Sequence, residues 1–254
     1  MDLLLPMKQF FHPISKILEK PYVSILGYPT ATKNQIEYRY AEINHLGIEA
    51  ISFFGNTKIN NISILGKGHN GLIALAKKNK KIVALKIRRV DSQQQTMNRE
   101  SLLLKIANDI NIGPNIIESS KNFIVMEYIN GEIISKWIDD VSYDDFNHVI
   151  KTILIDCYIL DKYNIDHGEL NNASKHIIIS NNHPTILDFE NASVTRKVSN
   201  VTSVIQYMYI RSSISKKVNN DGKITNEKLI ELLRLYKNNN NKKNFTRVLK
   251  FLNL

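Results

Sequence analysis

Residues 62–87, ISILGKGHNGLIALAKKNKKIVALKI, alternate apolar strand-forming runs with Gly- and Asn-bearing turns and leave no room for a helix. Gly66, Gly68 and Gly71 have GxGxxG spacing, which a dinucleotide-binding fold uses where a strand turns into a helix. Here the last glycine opens a strand over 72–76, and an Asn79-containing turn leads into another over 82–87. The segment therefore reads as a glycine-loop hairpin, which argues against a Rossmann unit. Lys86 ends the last run as Ala-Leu-Lys, within reach of phosphates lying beneath the glycines.

The flanking segments are organised around this hairpin. Residues 32–46 carry Ile36, Tyr40 and Ile43 at helical spacing. Thr32 and Gln35 form a capping box there, and Gly47 supplies a stop. Residues 48–66 read as two or three short strands, so 1–58 form an extension packed on the region C-terminal to it. Residues 92–108 read as a helix with Met97, Leu103, Leu104 and Ala107 on one face and Glu100 within reach of Lys86. Strand-like runs around 116–117 and 123–126 lead into MEYINGE at 126–132, which has the character of a hinge. Helix 143–163 is the strongest periodic signal, started by Ser142 and Asp145 and striped by Phe146, Val149, Ile150, Ile153, Leu154, Cys157 and Leu160. Helices follow over 201–210, 226–236 and 244–252, with Thr202 and Thr225 as caps, and the Asn-rich tract 238–244 reads as a loop.

Between helices 143–163 and 201–210 lies DHGELNNASKHIIISNNHPTILDFE, residues 166–190. It reads as a polar loop, a strand over 176–180, a turn over 181–184 and a strand over 185–187. A hairpin of that register brings Glu169 and Asp188 to its end away from the turn. Paired acids there suit a divalent metal and a proton to be removed; a surface hairpin with solvated acids is the plain alternative.

At 254 residues, 43% apolar and 23% charged, the chain has the composition of a soluble globular protein with a sizeable core. Its single cysteine, Cys157, lies in an apolar stripe and reads as a buried thiol. The N-terminal apolar run is broken by Pro6 and Lys8, and no run reaches membrane-spanning length, so the expected location is the cytoplasm. A net charge of +10 suits anionic partners such as nucleotides, RNA or acidic proteins. Because many of the lysines lie beside asparagines, a solvated basic face explains that charge more simply.

Taken in order, glycine loop, Ala-Leu-Lys strand, Glu-bearing helix, Glu-Tyr hinge, long apolar helix, His-Gly-Glu loop and Asp-Phe-Glu resemble the protein-kinase fold over residues 60–210. The resemblance is nearest to the atypical RIO-like, archaeal-type kinases. It implies an α+β, bilobal architecture: an extension (1–58), a β-rich N-lobe (59–128) and a mostly helical C-lobe (129–254). It further implies that Gly66, Gly68 and Gly71 cover the ATP phosphates, that Lys86 grips them, and that Glu100 orients Lys86. Ile73 and Ala84 would sandwich the adenine, Met126 would be the gatekeeper, and the backbone of Glu127 and Ile129 would bind the adenine edge. Asp188 would hold Mg²⁺, and Glu169 would act as base. Lys86 and Asp188 are expected to be solvent-accessible.

The sequence departs from that pattern at several positions. Glu169 stands where the family has aspartate, Ser174 where it has a metal-binding asparagine, and Glu190 where it has glycine. His176 precedes the apolar strand, a nitrogen donor better suited to Mn²⁺ than to Mg²⁺ or serving only as a donor to phosphate, while Asn171 or Asn172 could supply an oxygen instead. Asp166 is a second candidate base, ranked below Glu169 as a loop cap. The leading expectation is a Ser/Thr-type phosphotransferase acting on an unidentified protein or small-molecule hydroxyl. The alternatives are a nucleotide-binding pseudokinase acting as switch or scaffold, and a small-molecule or RNA-associated kinase.

Overall fold

The computed structural model describes residues 10–211 and 225–254, so the apolar start over residues 1–9 lies outside the described part. The chain is α+β, with a β-rich N-terminal sheet and a helical C-terminal region. It divides into two compact units. One runs to Leu102 and takes in Asn115–Tyr128; the other comprises Leu103–Pro114 and the chain from Ile129 onward.

The first unit is built on a sheet ordered β1-β2-β6-β7-β9-β8: His12–Pro13, Ile48–Ser52, Gly71–Lys78, Lys81–Arg88, Phe123–Glu127 and Ile116–Ser119. Strands β6 and β7 are joined by Asn79-Lys80, both at positive φ (51° and 63°), the two-residue turn whose twist matches that of paired strands. One edge of β6 is shared by two partners. Its first residues pair with β5 (Gly66–Lys67), and its last, Leu75–Lys78, pair with β2. Strands β3 (Thr57–Ile59) and β4 (Ile62–Ile64) form a separate hairpin, lying in sequence between these two partners.

Alternation along the strands separates two faces. Leu72, Ala74, Ala76, Val83, Leu85, Ile87, Phe123 and Val125 point into one core with Ile17, Ile25, Leu26, Ile43 and Ile51 of the extension. Helix α1 (Val23–Leu26) and helix α2 (Lys33–His45) cover that face. Helix α2 starts where the capping box places it: Thr32 Oγ1 accepts from the Gln35 amide at 3.3 Å, and Gln35 Oε1 accepts from the Thr32 amide at 2.8 Å. Gly47 follows it at φ +65°. Buried Arg39 ties the helix to the sheet, donating to the carbonyls of Leu26 (3.0 Å) and Arg88 (2.6 Å) and to Asn122 Oδ1 (3.1 Å). Desolvation lowers its pKa to about 10, so it remains a cation at neutral pH.

Helix α3 (Asn98–Asn108) begins six residues later than its composition suggests. Arg88 donates to the Gln94 carbonyl and Ser92 to Asn70 Oδ1, and these bonds hold the preceding residues as a loop. Met97, expected on the helix, is buried just before it.

The second unit contains α4 (Ile134–Trp137), α5 (Tyr143–Lys162), α6 (Asn200–Ile205), α7 (Asn226–Asn238) and α8 (Lys242–Phe251). Ser142 caps α5 by accepting from the Asp145 amide at 3.1 Å, and the expected stripe, Cys157 included, is buried. Burial raises the Cys157 pKa well above that of an ordinary thiol. Thr202 lies inside α6 instead of capping it, because that helix starts at Asn200, and it continues as a π-helical turn over Gln206–Arg211. Thr225 occupies the N-cap of α7 but makes no side-chain cap bond. The Asn-rich tract is a loop only between Asn238 and Lys242, since Asn241 caps α8 by accepting from the Asn244 amide at 2.9 Å. A small sheet, β10-β11-β12 (Glu132–Ile133, Ile177–Ser180, His183–Ile186), completes this unit. No described helix is long and apolar enough to cross a membrane.

Candidate functional site

In the first unit the register decides which side chains share a face. Ile73 pairs with Lys86, Lys86 with Ile124, Ala84 with both Leu75 and Met126. Period-two alternation therefore places Ile73, Ala84, Lys86 and Met126 on the face opposite the one covered by the extension. Lys86 is only 3% exposed, not solvent-accessible as the sequence suggested. It is buried because its Nζ lies 2.6 Å from Glu100 Oε1, and Glu100 is itself 3% exposed; each charge makes the burial of the other tolerable. Gly71 belongs to the same arrangement, since a Cβ there would stand 3.1 Å from Lys86 Cε.

The glycine loop is open at one end and pinned at the other. A Cβ added at Gly66 meets nothing within 4 Å, whereas the Gly68 amide donates to the Gly71 carbonyl at 2.8 Å. Lys67 donates to the Tyr28 hydroxyl at 2.6 Å and Arg89 to the Gly68 carbonyl at 3.3 Å, so a residue of the extension holds the loop from outside. At the end of β9, the Glu127 amide donates to the Asn115 carbonyl, and its exposed carboxylate accepts from Asn115 Nδ2 at 2.8 Å. Ile129 is half-buried and begins the longer segment of the second unit.

In the second unit, the expected hairpin forms with a tighter turn than its sequence suggested. Asn181-Asn182, at φ 49° and 58°, make the turn, and His183 and Pro184 already belong to β12. Pro184 is accommodated because β12 is an edge strand, where a missing N–H interrupts no ladder. Asn182 Nδ2 donates to Asp145 Oδ1 at 2.8 Å and fixes the turn to the start of α5.

At the opposite end, the Leu187 amide donates to the His176 carbonyl at 2.8 Å, prolonging the ladder by one bond. Asp188 follows in a left-handed conformation (φ 67°, ψ 75°), with Oδ2 4.0 Å from His176 Nδ1. Glu169 heads the 3₁₀ segment Leu170–Lys175, which returns the chain to His176. One ligand atom from each of Glu169, His176 and Asp188 lies within 4.8 Å of the others.

Two polar atoms of this group are buried without a hydrogen-bond partner, Glu169 Oε2 and His176 Nδ1. Behind them His167 is fully buried, with Nε2 2.8 Å from the Leu187 carbonyl; if Nε2 carries the proton it donates there, leaving Nδ1 as a lone pair. Desolvation chiefly lowers the His167 pKa, so the ring is neutral at physiological pH. A dication fits a donor set of two carboxylates and an imidazole in which two buried atoms lack partners.

The other acid of this loop is committed to structure. Asp166 is buried and accepts from Arg196 Nε, from the Ser199 amide (2.9 Å) and from the Ser199 hydroxyl (3.1 Å). Gly168 sits at φ +88° with the Asn191 carbonyl 2.8 Å from where a Cβ would be, so the His-Gly-Glu turn needs its glycine. Among the alternative donors, Asn171 is exposed, and Asn172 Oδ1 accepts from the Ser174 hydroxyl at 3.0 Å. Glu190 is buried in the 3₁₀ turn after Asp188. Sequence reasoning offered Glu169 and His176 separately to a metal; they stand seven positions apart, and the 3₁₀ return is what brings them together.

No protein-family model matches the chain. It is similar to an uncharacterized protein of Methanocaldococcus jannaschii, 29% identical over 93 residues, which amount to 37% of this chain and 79% of that relative.

Proposed function

We propose that this protein is an ATP-dependent phosphotransferase of the atypical protein-kinase type, with a kinase-like bilobal fold, passing the γ-phosphate to a hydroxyl. The observation that carries the reading is the buried Lys86–Glu100 pair, 2.6 Å apart, on the sheet face that also bears Ile73, Ala84 and Met126. A flat apolar patch ending in a fixed ammonium suits an adenine and its phosphates. Glu100 holds Lys86 in one rotamer, so little reorganisation is needed when phosphate arrives. The open backbone at Gly66 supports close approach of a phosphate chain.

Glu169, His176 and Asp188 would hold the divalent ion, which when bound neutralises charge on the phosphates. In this reading Asp166, bonded to Arg196 and Ser199, orders the loop and does not take the substrate proton. The phosphoacceptor is a protein or small-molecule hydroxyl. A nucleotide-binding pseudokinase is the second reading, favoured by the crowding of Glu169 among the metal-ligand candidates.

The test is incubation with γ-labelled ATP and Mg²⁺ or Mn²⁺, reading label on the protein and on a generic basic protein, beside Asp188→Asn. Label that disappears in the variant supports transfer. Nucleotide-dependent thermal stabilisation without label points to the pseudokinase, and the absence of both overturns the nucleotide reading.

A further inference from the structure

The two carboxylates and one imidazole at the base of the β11–β12 hairpin form a more specific set than a magnesium site requires. His176 is 9% exposed and its Nδ1 has no hydrogen-bond partner; Glu169 Oε2 is buried in the same state. Leaving such atoms unpaired in a folded interior is costly unless something else meets their lone pairs. Both residues belong to the group in which one donor atom from each lies within 4.8 Å of the others. Nearby, the His167 ring stands edge-on to His176 at 5.5 Å between centroids, with its Nε2 fixed on the Leu187 carbonyl. That packing holds the His176 ring in place.

We infer that Glu169, His176 and Asp188 are a preformed three-ligand site for a first-row transition-metal dication of the Mn²⁺ class, with Glu169 a ligand instead of a general base. Mg²⁺ takes oxygen donors and keeps much of its water, whereas an imidazole nitrogen favours the transition metals. The backbone sets the geometry: the 3₁₀ return from Glu169 and the Leu187–His176 bond bring the three side chains to one end of the hairpin. The site bears on the phosphotransferase reading but does not rest on it, because its ligands all come from one chain segment. If the transfer reading holds as well, Glu169 is occupied by the metal. The acceptor oxygen then bonds to the γ-phosphorus as the bond to ADP breaks, and the hydroxyl proton leaves late, to an oxygen of the transferred phosphoryl group, as a loose transition state permits.

The experiment uses the full chain, stripped of metal and free of nucleotide, with Mn²⁺ and Mg²⁺ as separate probes in titration calorimetry. Electron spin-echo spectroscopy of the Mn²⁺-loaded protein then reads the ligands directly. Expected are one Mn²⁺ per chain, binding at least about tenfold tighter than Mg²⁺, and a nitrogen coupling from an imidazole. His176→Asn, which replaces the nitrogen donor by an oxygen, should lose that coupling and reduce the Mn²⁺/Mg²⁺ ratio about tenfold. Glu169→Gln should weaken Mn²⁺ about tenfold or more, while its thermal unfolding without metal shows the fold intact.

Mn²⁺ bound without nitrogen coupling, an unchanged metal ratio in His176→Asn, or wild-type Mn²⁺ affinity in Glu169→Gln each overturn the assignment. Metal binding with this signature but no label transfer would leave the site standing and remove the phosphotransferase reading. Transfer without the signature would do the reverse.

Discussion

The two units each gather charge, and they do so in opposite ways. In the first, Lys86 and Glu100 meet at 2.6 Å with both side chains almost wholly out of water, a cation and an anion brought together by the fold. In the second, Glu169 and Asp188 gather with His176, so that carboxylates and lone pairs converge on one point. In the first arrangement the chain itself supplies both the cation and the anion. On the metal-site inference, the second is completed by a cation from solution. Clustered charge is therefore a poor guide to function until its balance is known, and on that same inference the imbalance is what an ion would offset.

That contrast can be broken most sharply at Lys86. Lys86→Met leaves Glu100 buried beside a methyl group, and about 3–5 kcal/mol of stability is expected to go in urea unfolding. Lys86→Met combined with Glu100→Leu should recover most of the loss while label transfer stays absent. A single variant as stable as wild type would mean that the pair carries no structural weight.

Gly71→Ala tests the same region from the backbone side. Its new Cβ would press on Lys86 Cε, so about 2 kcal/mol of destabilisation and a raised KM for ATP are expected together. Unchanged KM would show that the lysine has room to move.

Asp156 on α5, in the second unit but outside its acidic group, reports what desolvation does to a carboxylate: it raises the pKa to about 6. A folded value above the ordinary one contributes stability below about pH 4 and loses it as pH rises through 6. Asp156→Asn should therefore gain about 1–2 kcal/mol at pH 7.5 and nothing at pH 4, read from melting curves at the two pH values.

The smallest effect is opposite in sign to that at Lys86. Without metal, Glu169→Gln removes one of two like charges and should raise stability by about 0.5 kcal/mol. A loss of stability there would make the group a structural network instead of a waiting site.

Much of this was legible in the sequence because local chemistry dictated it. The Thr32–Gln35 box, the Ser142 cap and the Asn79-Lys80 turn each determine an element within four residues. Alternation puts Ala84 and Lys86 on one face of their strand, whereas their match with Ile73 and Met126 rests on inter-strand register, which the sequence offered only through the resemblance. What was hidden depended on distant partners. The burial of Lys86 follows from Glu100, fourteen residues on, and from the absence of a side chain at Gly71. Helix α3 starts late because Arg88 and Asn70 hold the loop before it, and no propensity in residues 92–97 announces those bonds. Similarly, β10 is only two residues long and exists because β11 offers it an edge.

The shared edge of β6 sets the smallest piece of this chain that could live alone. Strand β2 shields the Leu75–Lys78 half of that edge, and helices α1 and α2 lie over the adjoining apolar face. A shortened chain starting at residue 59 would bare both at once, offering neighbouring molecules a row of unpaired amides beside exposed leucine, alanine and valine. Such a fragment would be expected to stick to its own copies. In a recombinant setting the extension is thus the solubility tag that the protein carries for itself.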